Sequence, residues 1–300
     1  MKIHVMSDLH LEFGRLDQKL PTGDVLILAG DIVPVRYLET RMNDSRSRSI
    51  RKSAMALFKE AQDNFNRVFY LTGNHEFYNG NISNDSPMIE EILPGITLLN
   101  DTAVDLDDKT ILVGGTLWTD MNKGKDAQLV ERGMNDFRFI DTWDTEGTQD
   151  GFVPAPRRFT TDDAMAMHKR TKAFIAKTAK ANIDKRIVVS THHAPSIQGV
   201  DVNRYRHSDI NAGYYTDLEK FIQDRPNICA WVHGHTHIQK TYTIAQCRVF
   251  SNARGYIGHE RSADTFDPDR WIDLDAKPGA AASMLSTAPE SPKDGNQDAA

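Results

Sequence analysis

The sequence has little cysteine: Cys229 and Cys247 only, in 300 residues, and no CxxC pair. That excludes a disulfide framework and a cysteine-rich zinc module, and leaves two reduced core thiols as the expectation. No apolar run approaches the ~20 residues of a membrane span. The opening stretch MKIHVMSDLH meets acidic and imidazole groups too early for a secretion signal. A cytoplasmic protein without a membrane partner is therefore expected. Positive charge is also short, with 36 Lys and Arg against 42 Asp and Glu and a formal charge of −6. No long-range pull toward nucleic acid follows, and such a partner is not favoured. Internal repeats, a Walker loop and a GxGxxG loop are all missing, which removes solenoids and the common nucleotide cradles.

What is present is ordinary globular material, 39% hydrophobic and 26% charged. Short β-branched runs recur at 3–6, 25–29, 68–71, 111–113, 187–189 and 228–232. Continuous apolar runs of that length suit strands buried on both faces of a sheet in a layered α/β protein. Helical spacing appears over 53–65 and 162–181, and a short helix over 216–223 has Thr216 and Glu219 placed as a capping box. The runs 240–245 and 248–251 read as paired strands, so the sheets are expected to be mixed. Residues 120–156, rich in Gly, Asp and aromatics without clear periodicity, read as a pocket-shaping insertion in a domain of residues 1–275. The tail 276–300 carries almost no large apolar residue and is expected to be disordered.

The chemistry lies at the ends of the strand-like runs. Asp8 and His10 come after the first, in Ser-Asp-Leu-His; Asp31 after the second, in Gly-Asp; Asn74 and His75 after the third, in Gly-Asn-His-Glu. His192 and His193 come after 187–189, and His235 and His237 after 228–232, in Gly-His-Thr-His. The carboxyl ends of strands are where ligands collect in such folds, so groups far apart in the chain can converge. In an extended segment i and i+2 point the same way, which would pair Asp8 with His10 and His235 with His237. Gly30, Gly73 and Gly234 precede candidates and leave room for ions. A lone DxH or HxH is common and an isolated Gly-Asp is usually a turn. Five in order at five strand ends is different, because a purely structural account gives no reason for so many His and Asp there. Mixed imidazole and carboxylate donors suit Mn, Zn, Fe or Co.

This ordered set, Asp8-x-His10, Gly30-Asp31, Gly73-Asn74-His75-Glu76, His192-His193 and Gly234-His235-x-His237, resembles the full motif series of the calcineurin-like metallophosphoesterases over residues 1 to about 273. The runs Thr116-Leu117-Trp118-Thr119-Asp120 and Asn252-Ala253-Arg254-Gly255-Tyr256 resemble a bacterial and phage phosphohydrolase branch. The resemblance implies a four-layer α/β/β/α sandwich with two mixed sheets and a dinuclear site at the strand ends. It implies two divalent or trivalent ions, with Asp8, His10 and His237 on the first, Asn74, His192 and His235 on the second, and Asp31 bridging. His75 would contact the phosphate and protonate the leaving oxygen. His192 is preferred to His193 because it lies nearer the strand, with Pro195 following; His193 is the fallback. The implied activity is hydrolysis of a phosphate mono- or diester by a metal-bound hydroxide, with a small nucleotide or phosphodiester as the substrate. Oligomeric state is not legible.

Other positions read more plainly. His4 belongs to a strand core, and His168, His207 and His259 to solvent or local structure. Arg36, Arg41, Arg46, Arg48 and Arg51 could greet a phosphate, but a solvated helix face accounts for them better. Trp118 and Asp120 are candidates for lining the pocket. The rival from another class is a scaffold that keeps the fold without catalysis, which usually shows gaps in the ligand set; none is seen here. A zinc amidohydrolase places HxH early on a barrel strand, whereas His235 and His237 come late.

Overall fold

The computed structural model describes residues 1–143, 155–201 and 208–276. His207 and the tail from residue 277 onward lie outside the described residues. In chain order the strands are β1 (Lys2–Met6), β2 (Gly23–Ala29), β3 (Phe65–Leu71), β4 (Gly80–Asn81), β5 (Thr97–Leu98), β6 (Thr102–Asp107) and β7 (Thr110–Gly115). They continue with β8 (Ile140–Trp143), β9 (Pro156–Arg158), β10 (Arg186–Thr191), β11 (Ile228–His233), β12 (Gln239–Ile244), β13 (Cys247–Asn252) and β14 (Trp271–Asp273). The α-helices are α1 (Ser45–Asn64), α2 (Ile82–Ile92), α3 (Ala127–Gly133), α4 (Asp136–Phe139), α5 (Thr161–Ala181), α6 (Glu219–Gln223) and α7 (Arg261–Asp264).

Among the described residues the strands form two large sheets, ordered β14-β1-β2-β3-β5 and β12-β13-β11-β10-β7-β6, and a small one, β4-β8-β9. Both large sheets are mixed: β1, β2 and β3 run parallel while β14 is antiparallel, and β7, β10, β11 and β13 run parallel while β6 and β12 are antiparallel. The period-two alternation of side chains sorts each strand into two cores. In β2, Leu26 and Leu28 face Ala54, Leu57 and Phe58 of α1, whereas Val25 and Ile27 face Leu112, Val188 and Val232 of the other sheet. The outer face of that second sheet, with Val113, Val189 and Trp231, packs on Ile175 and Ala179 of α5 and Ile222 of α6. The result is the four-layer α/β/β/α sandwich. Parallel pairing puts the carboxyl ends of β1, β2 and β3 on one edge, and those of β10 and β11 on one edge of their own sheet.

Several local expectations need correction. The first helix begins at Ser45, well before residue 53, because Asp44 caps it by accepting from the Ser47 amide. Its opening turns are polar, so apolar spacing does not reveal them. The Thr216–Glu219 capping box does not form: α6 begins at Glu219 after Leu218, which makes no cap bond, and the Glu219 amide donates to the Asp217 carboxylate at 3.1 Å. Thr216 instead accepts from the Asp120 amide, and Glu219 accepts from Ser196 and Gln198. Of the 120–156 segment, residues 144–154 lie outside the described residues, and residues 120–143 hold α3, α4 and β8 around a core with Met121, Val130, Met134, Phe137 and Ile140. Helix α2, with Pro87 inside it, has no counterpart among the helices expected from apolar spacing. Both cysteines are free thiols on strands, Cys247 buried and Cys229 half-buried. None of the described helices is long and apolar enough to cross a membrane.

Candidate functional site

The loops that leave the strand ends meet above the gap between the two large sheets. Backbone bonds lock them together: Asp8 N donates to Gly30 O, His10 N to Asp31 O, Gly234 N to His192 O, and Gly255 N to Asp8 O. The loops are not extended, so the i, i+2 pairing does not arise from strand geometry. Asp8, His10, Asp31, His235 and His237 all sit at φ between 44° and 67°. That left-handed conformation costs a non-glycine residue about 1–2 kcal/mol, and its concentration on five candidate donors points to a site whose geometry is maintained against local preference. Gly30, at φ 89°, could not be replaced cheaply either, and a Cβ on Gly73 would lie 2.6 Å from His192 Nε2.

Donor atoms of Asp8, His10, Asp31 and His237 all lie within 4.8 Å of one another, and so do those of Asp31, His192 and His235. Asp31 belongs to both groups. Asn74 joins the second through its Oδ1, 3.1 Å from His192 Nε2. The seven expected side chains therefore converge. His193 stands apart: its Nδ1 faces the Thr116 carbonyl at 3.3 Å and its ring packs against Trp118 and His235. Burial, then the neighbouring His192, push it down to about 3.

Electron-rich atoms face each other across this cluster. His192 Nδ1 bonds the Ala29 carbonyl at 2.9 Å, which turns Nε2 toward both Asn74 Oδ1 and Asp31 Oδ2, the latter at 3.3 Å. His10 Nε2 and His237 Nε2 approach to 3.0 Å, with Asp8 Oδ1 3.5 Å from the latter. His235 Nε2 is buried with no hydrogen-bond partner among the described residues. Burial works against charge throughout, yet the field favours cations. Asp31 raises His192 to about 9, and hydrogen bonds to Asp8 and Glu260 raise His237 to about 10. Burial would lift the Asp31 carboxyl, but His192, His75 and His10 hold it well below the usual range. Converging lone pairs in a site that attracts positive charge fit a metal cation.

Around these donors stand carboxylates that the sequence pattern does not assign to the site. Glu260 Oε2 lies 2.6 Å from His237 Nδ1, and Glu12 Oε1 lies 3.3 Å from His10 Nδ1 and 3.1 Å from His75 Nδ1. Such outer partners fix ring orientation and raise the basicity of the facing nitrogen. Glu76 accepts from the amides of Asp31, Ile32 and Gly73 and from the Tyr70 hydroxyl, pinning the Asp31 and Asn74 loops to each other. The His75 amide donates to Asp31 Oδ1 at 2.8 Å, while its Nε2 faces the Tyr256 hydroxyl at 3.2 Å. Burial lowers the His75 ring, but Asp31 and Glu12 outweigh it and the net shift is upward.

A cavity of about 220 Å³ opens beside the cluster, with Asp31, Asn74, His75 and His237 in its floor and Tyr78, Met134, Val200, Tyr214 and Tyr256 in its walls. Gly133, Met134 and Asn135, from the segment expected to shape the pocket, form part of that wall. Trp118 and Asp120 do not line it: Trp118 is buried against Phe159 and His193, and Asp120 lies on other surface clefts. None of the arginines after Asp31 is among the described lining residues either: Arg51 ties backbone carbonyls of residues 37–42, Arg41 pairs with Glu39, and Arg46 donates to the Glu12 carbonyl at 3.4 Å. His4 is in the core against Phe65, His168 is buried, and His259 is exposed.

The sequence profile of the calcineurin-like phosphoesterases matches residues 1–239. A protein of Acanthamoeba polyphaga mimivirus, L509, is 27% identical over 288 residues, covering 91% of this chain and 96% of its own length. Among solved structures, phosphopantetheinyl hydrolase from Mycobacterium tuberculosis superposes with a TM-score of 0.60 at 18% identity, over 93% of this chain and 98% of that one, a likeness of fold. With a profile match over most of its length and buried His and Asp groups fit for metal, the chain belongs to the calcineurin-like phosphoesterases, metal-dependent hydrolases of phosphate esters.

Proposed function

We propose that the chain hydrolyses a small phosphodiester, such as a compact nucleotide ester, at a pair of metal ions that share Asp31. The observation that carries this is the common membership of Asp31 in two donor groups. Asp8, His10 and His237 would hold one ion, and Asn74, His192 and His235 the other, with Mn, Zn, Fe or Co the suitable elements. Bound there, the ions would supply Lewis acidity for the phosphate oxygens and acidify a water for in-line attack. The protein's own work is to aim and to shuttle. The Ala29 carbonyl, Glu12 and Glu260 each engage the Nδ1 side of a ligand imidazole and leave its Nε2 facing the centre. His75, held through Nδ1 by Glu12, lines the cavity with its Nε2 at the Tyr256 hydroxyl, and its raised proton affinity suits donation to the leaving oxygen.

Among the described residues the cavity lining contains neither Lys nor Arg. A diester carries one negative charge where a monoester carries up to two, so such a lining favours the diester. The tyrosines, Met134 and Val200 offer apolar surface to the group beyond the phosphorus. Metal-stripped protein restored separately with Mn, Zn, Fe, Co and Mg should regain hydrolysis of bis-p-nitrophenyl phosphate, at least roughly tenfold faster than of the monoester. A preference for the monoester would refute the substrate assignment. No restoration on any compound would favour the non-catalytic scaffold.

A further inference from the structure

The segment between β7 and α5 supplies more than a cavity wall. Asp136, the first residue of α4, is 1% exposed, and its Oδ1 accepts two hydrogen bonds. One comes from Asn74 Nδ2 at 2.8 Å, the other from the Tyr78 hydroxyl at 2.7 Å. A side-chain amide has two nearly isosteric orientations, one presenting a carbonyl oxygen and the other an NH₂ group. Only the first can bind a cation. With Asp136 on its far side, Asn74 places Nδ2 toward Asp136 and Oδ1 toward His192. The second bond acts on another group. The Tyr78 ring stacks on the His75 imidazole with centroids 4.1 Å apart and planes at 22°. The same carboxylate oxygen thus anchors the ring against which His75 rests.

We propose that Asp136 is a positioning residue for this centre: its Oδ1 selects the metal-facing orientation of Asn74 and, through Tyr78, braces the plane of His75. The proposal rests on the assignment of two ions sharing Asp31. It requires an acceptor oxygen at this place rather than a negative charge, so an amide there should serve nearly as well.

The test uses the full chain in four forms: wild type, Asp136→Ala, Asp136→Asn and Tyr78→Phe. Binding of Mn²⁺ to stripped protein is followed by titration calorimetry, beside the kinetics of diester hydrolysis. Asp136→Ala should weaken one of two binding steps roughly 10–100-fold and spare the other, as loss of an outer partner does. Asp136→Asn should restore that step to within about fivefold of wild type, since its carbonyl can accept both bonds. Tyr78→Phe should keep both steps and lower kcat roughly tenfold, with little change in KM. Wild-type Mn²⁺ affinities in Asp136→Ala would overturn the selection of Asn74, and so would an Asp136→Asn protein that binds as poorly as the alanine variant. Unchanged kcat in Tyr78→Phe would overturn the bracing of His75. Should Asp136→Ala not fold, Asp136→Leu, close in shape but without an acceptor, takes its place and should show the same loss of one binding step. Failure of the underlying two-ion assignment looks different, because wild-type protein would then bind no pair of ions at all.

Discussion

Asp31→Asn should lose bound metal and catalytic activity together, with kcat/KM falling roughly 10³–10⁵-fold, equivalent to the several kcal/mol that a metal pair contributes to a phosphoryl transition state. Asp31 is 1% exposed, and its Oδ2 stands 3.3 Å from His192 Nε2 and 3.8 Å from His10 Nε2, between the two donor groups. An amide there removes the one negative charge common to both and places an NH₂ group among imidazole nitrogens. Metal content by elemental analysis, run beside diester hydrolysis, checks the expectation. A variant that keeps both ions and hydrolyses normally would remove Asp31 from the bridging role.

His75→Ala should behave in the opposite way, keeping both ions while kcat drops roughly 10²–10⁴-fold, the usual contribution of a positioned general acid. His75 lines the cavity but takes no part in the two groups that contain Asp31, and it is tied instead to Glu12 and Tyr256. The loss should depend on the leaving group. A nitrophenolate departs without help, whereas an alkoxide needs a proton, so alkyl esters should suffer more than nitrophenyl esters. An equal loss on both classes would assign His75 to phosphate binding rather than proton transfer. The contrast with Asp31→Asn would separate a role in holding metal from a role in moving a proton.

The convergence of the seven candidate side chains is legible in the sequence because each lies within about five residues of the end of a strand-like run, and parallel pairing carries strand ends to one edge. The way the loops deliver them is not. Left-handed φ at Asp8, His10, Asp31, His235 and His237 goes with bonds between loops far apart in the chain, such as His10 N to Asp31 O and His235 N to the Asp8 carboxylate, and no local pattern encodes it. The outer carboxylates are hidden for a related reason. Glu12 and Glu260 are ordinary loop residues in sequence, and Asp136 sits in a segment without periodicity. Each acquires meaning only when tertiary packing brings His75, His237 or Asn74 beside it. Thr216 and Glu219 show the converse, a valid local signal overridden because both side chains find partners across the fold. Helix α1 reads too short in sequence for want of apolar residues in turns that Asp44 and solvent stabilise instead.

The most direct measurement is anomalous diffraction from a crystal grown with abundant Mn²⁺. Two peaks about 3.5–4 Å apart are expected, one among Asp8, His10 and His237, the other among Asn74, His192 and His235, with Asp31 touching both. A lone peak, or none in a pocket where Asp8 and His237 lie far apart, would contradict the shared-carboxylate centre.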